Sequence, residues 1–128
     1  LLSAPGLGLE PLALDPNPKS GIPGAVLGFP QNGPFSVAPS RLGSTGEFTS
    51  EDSYGRGPVR REITSFRGRV ISGNSGGPTV DGDGEVLTTV FASEISSGPA
   101  GGLGVPNEIV ADALDGPLNP TGTGPCAL

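Results

Sequence analysis

Glycine and proline interrupt this chain at close intervals, and between them stand short runs rich in Val, Ile, Leu, Phe and Thr. The 23 glycines and 15 prolines among 128 residues reach the level of about 25–30% at which a low-complexity or disordered sequence is suspected. They are concentrated between the apolar runs, however, which is the pattern of an all-β domain with many tight turns. The length suits one domain with its own core.

The apolar runs predict short strands at residues 24–29, 35–42, 59–66, 77–80, 86–91 and 102–105. Residues 31–34 are predicted to turn the first hairpin. The acidic run at 81–85 resembles part of a calcium loop, but it is too short, and a hairpin turn is the better interpretation. Residues 43–58 are predicted to form a long exposed loop, either simply solvated or facing a substrate. Residues 92–101 are predicted to form a second loop.

One helical pattern lies near the C-terminus, at residues 106–114. Gly116-Pro117 ends this helix. Its apolar residues fall on one face: Ile109, Val110, Ala113 and Leu114. The chain is therefore predicted to be a closed or sandwiched antiparallel β domain with a terminal helix. The predicted divisions are a connector over 1–23, the folded domain over 24–116 and a Gly/Pro-rich tail over 117–128.

One loop carries residues suited to nucleophilic catalysis, Ser72-Gly73-Asn74-Ser75-Gly76-Gly77-Pro78. An acyl-transfer serine must stand on a tight turn, beside backbone N–H groups that hold the oxyanion of the tetrahedral intermediate. Glycine at position 73 lets the backbone aim its own N–H inward, and Ser75 supplies the second N–H. The alternative interpretation is an ordinary surface turn rich in Ser and Gly, of which this chain has many.

A nucleophilic serine also needs a base, usually histidine oriented by a carboxylate, and the chain contains no histidine. Lys19 is the only lysine, so a Ser–Lys dyad would depend on that residue, which stands in a loop-like segment. The simpler inference is that the base and its carboxylate lie in sequence outside this chain.

Composition excludes several other functions. The net charge of −6 and the few basic residues argue against nucleic acid and anionic membrane surfaces. No apolar run is long enough to span a membrane, and the first residues lack the features of a signal peptide. With no histidine and a single cysteine, no zinc or iron–sulfur site and no cofactor is expected. Cys126 is either a free thiol or one half of a bridge to another segment.

The serine loop, the β-turn after it, the Val/Thr-rich strand, the Gly-rich strand and the terminal helix together resemble the second barrel of a trypsin-like serine protease. The similarity is greatest to the HtrA-like bacterial branch. Less specific matches resemble the membrane-anchored acid-resistance proteases of actinobacteria. The matching segments are residues 24–30, 84–87, 90–91 and 122–126. The resemblance covers nearly the whole chain. It implies a six-stranded antiparallel Greek-key barrel with one C-terminal helix, the second half of a double barrel.

The resemblance also implies roles for individual residues. Ser75 would be the nucleophile, and the segment Gly73-Asn74-Ser75 would form the oxyanion hole through the N–H groups of Gly73 and Ser75. Residues Phe91-Ala92-Ser93 would form the edge that pairs with an extended protein or peptide substrate. Arg69 would lie near the base of the pocket for the residue before the scissile bond, or point outward as a surface charge.

The missing groups would come from a first barrel, joined through the connector, that carries His and Asp; the chain would begin just after that Asp. Cys126 would bridge to a cysteine in that barrel, which implies an oxidising, periplasmic or other extracytoplasmic location, with a membrane anchor upstream. The barrel face that the first half covers should be apolar.

Two other readings stay open: a peptide-binding module or pseudoprotease without activity, and a split enzyme still docked to its other half.

Overall fold

The computed structural model describes residues 4–52, 55–94, 99–117 and 119. It contains six strands and one helix: β1 (Pro23–Gly28), β2 (Ser36–Ser50), β3 (Val59–Gly68), β4 (Pro78–Val80), β5 (Val86–Glu94), β6 (Gly101–Val105) and α1 (Asn107–Asp115). A short 3-10 turn, Pro30–Asn32, joins β1 to β2. The strands close a barrel in the order β1-β2-β3-β6-β5-β4, and every pair is antiparallel. The predicted six-stranded barrel with one C-terminal helix is confirmed.

The core fills the inside of the barrel. The buried cluster consists of five apolar side chains from four of the strands: Val26, Leu42, Phe66, Leu87 and Val90. The fully buried Leu87 and Val90 both belong to β5, so this strand is anchored in the core by two side chains. The rigid core thus supports the strand that continues into the predicted substrate edge.

The predicted hairpin turn between β4 and β5 is confirmed. The N–H of Asp81 donates to the carbonyl of Glu85 at 3.0 Å. The Asp81 carboxylate accepts hydrogen bonds from the N–H groups of Asp83 and Glu85, at 3.0 and 2.9 Å. This carboxylate therefore caps the turn.

The predicted loop at 43–58 is wrong over its first half, residues 43–50. Strand β2 continues to Ser50 and pairs with β3 as far as Val59, after an irregularity in register between Leu42 and Thr45. Beyond the irregularity the two strands form a ribbon whose β2 residues are mostly exposed. A ribbon exposed in this way needs no alternation of apolar and polar residues, so the pattern gave no strand signal. The loop predicted at 92–101 is also too long, because β5 runs to Glu94 and β6 begins at Gly101.

The segment before β1 is tied to the barrel near its end. The N–H of Asp15 donates to the carbonyl of Val86 at 3.0 Å, and the N–H of Val86 donates to the carbonyl of Ala13 at 2.8 Å. The buried side chain of Asn107, at the start of α1, donates to the carbonyls of Asp15 and Val86. Residues 4–13 are exposed. This arrangement fits a connector that crosses the surface, although the domain boundaries remain predictions.

Helix α1 buries only part of its predicted apolar face. Val110 is half-buried, whereas Ile109 and Leu114 are 41% and 52% exposed. An apolar face with this much exposure is available to another surface. No helix in the described part of the chain is long and apolar enough to cross a membrane.

Candidate active site

The predicted serine loop connects β3 to β4, and two of its glycines adopt backbone conformations that other residues rarely take. Gly73 has φ +98° and Gly76 has φ +86°. Tight turns close around them, because the N–H of Asn74 donates to the carbonyl of Ile71 and the N–H of Gly77 donates to the carbonyl of Asn74, both at 2.9 Å. The glycines are thus required by the backbone path of the loop.

Ser75 stands at the exposed turn of this loop. Its hydroxyl donates to the backbone carbonyl of Phe91 at 3.2 Å. The two residues after Ser75 are hydrogen-bonded to β5. The N–H of Gly76 donates to the carbonyl of Val90 at 2.7 Å, and the N–H of Val90 donates to the carbonyl of Gly77 at 2.9 Å. Ser75 is therefore fixed beside β5 while its Oγ stays accessible to solvent.

Two of the loop's N–H groups are available for an oxyanion. Among the described residues, the N–H groups of Gly73 and Ser75 donate to no other protein group. The N–H of Asn74, between them, is already bonded to Ile71. Of the predicted triplet, Gly73 and Ser75 thus have the free donors that an oxyanion hole needs, whereas the backbone of Asn74 does not.

The side chain of Asn74 has a separate part in shaping the loop. It is only 5% exposed, and its Oδ1 accepts a hydrogen bond from the N–H of Ile71 at 2.9 Å. Its amide nitrogen packs on Gly28 of β1, where an added Cβ would lie 2.7 Å from it. Sequence analysis did not find this role, since the only signal is a glycine 46 positions away in the chain.

The predicted substrate edge begins beside Ser75. Strand β5 pairs with β6 through Ala92 and Ser93, with an irregularity in register at Phe91. On its other side, the pairing of β5 with β4 ends at Thr89. On this second side, no strand in the described ranges pairs with residues 91–93, which therefore form a free edge. An extended peptide could add to it as a further strand.

Of the remaining predicted residues, Arg69 and Lys19 lie within the described ranges. The side chain of Arg69 is exposed. Lys19 donates to Oδ1 of Asn17 at 2.7 Å, and the structure contains no hydrogen bond between it and Ser75. Cys126 lies outside the described residues. Within the described part of the chain, no three His, Cys, Asp or Glu side chains form a cluster that could hold a metal ion.

Comparison with known proteins identifies the family. The family model of the trypsin-like peptidase domain matches residues 1–87. The chain belongs to the trypsin-like peptidase family. Serine protease Rv3671c (MarP) of Mycobacterium tuberculosis H37Rv is 35% identical over 129 residues, which cover 98% of this chain and 32% of that protein. The serine protease MT3772 of M. tuberculosis CDC 1551 matches equally. This trypsin-like peptidase chain thus spans about a third of the curated relatives' length.

Solved structures agree with this family. The active form of the Rv3671c protease of M. tuberculosis matches with a TM-score of 0.83 and 36% identity, over 95% of this chain and 55% of that one. An inactive form of the same protease matches with a TM-score of 0.73 and 34% identity, over 86% of this chain and 56% of that one. The HtrA-type protease AlgW, as its S227A variant with a decapeptide, shares the fold, with a TM-score of 0.65 and 19% identity over 84% of this chain and 32% of that one. The predicted family is confirmed.

Proposed function

We propose that this chain is the nucleophile-bearing barrel of a serine endopeptidase, which hydrolyses peptide bonds through an acyl-enzyme on Ser75. The observation that carries the proposal is the position of Ser75 Oγ. It is exposed next to two unengaged N–H donors and lies 3.2 Å from the carbonyl of Phe91, where the free edge of β5 begins. An ordinary surface turn has no need of this combination.

The chemistry follows the general scheme for serine nucleophiles. A histidine outside this chain takes the proton from Ser75 Oγ as the oxygen attacks the scissile carbonyl. The N–H groups of Gly73 and Ser75 bind the resulting oxyanion. The histidine then passes the proton to the leaving amine as the peptide bond breaks. Water, activated by the same histidine, releases the acyl group and restores the hydroxyl.

Substrate binding would use the edge at Phe91, Ala92 and Ser93. Backbone hydrogen bonds to this edge would align the part of the peptide that precedes the scissile bond. The exposed side chain of Arg69 would then contribute little to the choice of the residue immediately before that bond.

The histidine and its carboxylate would come from a first barrel, in the same parent chain or as a cleaved partner. A groove of about 440 Å³ is one place where a side chain of that barrel would fit. Its lining combines apolar residues, among them Phe91, Val105 and the 41%-exposed Ile109, with charged ones: Arg60, Arg61 and Glu62. The backbone of Phe91 also accepts the Ser75 hydrogen bond, so whatever fills the groove lies next to the nucleophile.

The parent protein's surroundings are part of the same proposal. Cys126 would form a disulfide with the first barrel, in an extracytoplasmic and oxidising compartment, and a membrane anchor would lie upstream. If the two barrels are on different polypeptides, reduction of this disulfide should release them as two species of lower mass.

A second candidate is a peptide-binding module or pseudoprotease. The observation that favours it is the lack of any histidine in the chain. It would use the same edge of β5 without cleaving the peptide.

A fluorophosphonate distinguishes the two functions, because it reacts with activated serines. The probe is added to the complete protease, meaning this chain together with the barrel that supplies the base. The chain has no Lys or Arg after Arg69, so tryptic digestion places Ser72 and Ser75 in one peptide that starts at Val70. We expect an adduct on that peptide, retained in Ser72→Ala and lost in Ser75→Ala. A complete protease without an adduct would favour the binding module.

A further inference from the structure

Two exposed aromatic side chains lie next to the candidate site without a role in the function proposed above. Phe29 and Phe35 flank the 3-10 turn, 59% and 56% exposed, with ring centroids 5.5 Å apart. Val37, two residues further on, is 60% exposed. Exposed large apolar residues that are adjacent to one another indicate a binding surface more strongly than isolated ones.

The turn between these rings is fastened to the serine loop. The N–H of Gln31 donates to the carbonyl of Ser72 at 2.8 Å. Gly73 packs so closely that an added Cβ would lie 2.9 Å from the nitrogen of Gln31 and 3.0 Å from the carbonyl oxygen of Phe29. The aromatic pair is therefore attached to the Gly73 side of the oxyanion hole, whereas Phe91 adjoins Ser75 itself.

This placement assigns a direction to a bound peptide. The part before the scissile bond would pair with the β5 edge at residues 91–93, and its scissile carbonyl would point to the N–H groups of Gly73 and Ser75. The part after the scissile bond must then continue away from β5. On that side Gly73 is covered by the turn that carries Phe29.

We infer that Phe29 and Phe35 bind substrate side chains on the leaving-group side of the scissile bond, and that they select large apolar or aromatic residues there. The inference rests on the proposed peptidase function and adds a specificity determinant to it. Burial of a substrate side chain against two rings is favourable because both surfaces are removed from water.

The charge distribution supports an apolar substrate residue. Residues 20–40 contain no Asp, Glu, Lys or Arg, although the chain carries 20 charged groups of these types elsewhere. The segment that carries the two rings thus contributes no charged side chain that could pair with a charged substrate residue. This favours apolar contact with the rings.

Two substrates with the same acyl part test the inference in the complete protease. One is a peptide that continues beyond the scissile bond with Phe or Leu, and the other is the methyl ester of the acyl part, whose leaving group has no side chain. The measured quantity is the ratio of kcat/KM for the peptide to kcat/KM for the ester. In Phe29→Ala and Phe35→Ala we expect this ratio to fall by about 10-fold or more. In Phe48→Ala, which removes a 43%-exposed ring from the β2–β3 ribbon, it should not change.

The other outcomes are decisive as well. An unchanged ratio, or an equal loss on both substrates, would overturn the inference and leave the peptidase function intact. Sedimentation that shows the wild type to be an oligomer, and the Phe29→Ala and Phe35→Ala variants to be monomers, would overturn it in favour of a contact between copies. If the wild type cleaves neither substrate and takes no fluorophosphonate, the peptidase function itself fails, and the inference fails with it.

Discussion

The hydroxyl of Ser75 donates to the backbone carbonyl of Phe91 at 3.2 Å, across 16 positions of the sequence. The bond joins the middle of a glycine-rich loop to the first residue of a strand edge that has no β4 partner in the described ranges. One contact thus brings together the proposed nucleophile and the strand edge proposed to bind an extended peptide. Each depends on the barrel, because β5 is anchored in the core through Leu87 and Val90.

Replacement of Ser75 should abolish activity without unfolding the barrel. In Ser75→Ala the Oγ that forms the acyl-enzyme is gone, so kcat of the complete protease should fall by a factor of about 10³ or more. The side chain is exposed, and its one hydrogen bond in the described structure is to Phe91. The free energy of unfolding should therefore change by no more than about 0.5 kcal/mol. Peptide turnover and urea unfolding check both parts. Full activity in this variant would refute the role of Ser75.

The substitution Gly28→Ala should lower activity by displacing the side chain of Asn74 in the serine loop. In Gly28→Ala the new Cβ would lie 2.7 Å from the amide nitrogen of Asn74, whose side chain accepts the Ile71 N–H. Displacement of Asn74 moves the oxyanion loop, so kcat should fall by about 10- to 100-fold, with a smaller change in KM. Overpacking should also lower the free energy of unfolding by about 1–3 kcal/mol.

Gly46→Ala is the matched control for that substitution. Gly46 also lies in a strand, and an added Cβ there would meet nothing within 4 Å. Steady-state kinetics of the two variants should differ clearly. Equal kcat values in Gly28→Ala and Gly46→Ala would mean that the Asn74 contact does not set the loop geometry.

Loss of the Asn107 side chain should destabilise the protein without touching the site. Its buried amide joins the connector, β5 and α1 by donating to the carbonyls of Asp15 and Val86. In Asn107→Ala the free energy of unfolding should fall by about 1–3 kcal/mol. The N–H groups of Asp15 and Val86 should exchange hydrogen faster. Asn17→Ala, at an exposed position, is the control. Unchanged exchange at both N–H groups would contradict this role for Asn107.

The parts of the molecule that sequence analysis predicted well are those encoded locally. The serine loop is a run of seven residues, and the turn at Asp81 is encoded by its own acidic and glycine residues. Strand β5 is dense in β-branched residues, which favour a buried strand. In each case the residues that determine the structure are neighbours in the chain, and their pattern is therefore visible.

The features that sequence analysis missed depend on contacts between distant residues. The packing of Asn74 on Gly28 joins a loop to a strand, and the sequence around either residue contains no pattern that predicts this contact. The second half of β2 is polar because its ribbon with β3 is solvated, so it was predicted as a loop. The apolar face of α1 was identified, but its exposure at Ile109 and Leu114 required the structure.

The most direct test of the central claim is to trap the acyl-enzyme on this chain. The complete protease is mixed with a peptide ester, quenched in acid during the first turnovers, and the intact mass of this chain is measured. Esters acylate serine enzymes quickly, so the covalent intermediate accumulates. We expect a mass increase equal to the acyl group, located on the tryptic peptide that starts at Val70 and lacking in Ser75→Ala. Hydrolysis of the ester by Ser75→Ala at the wild-type rate, or an acyl group found elsewhere, would contradict the account.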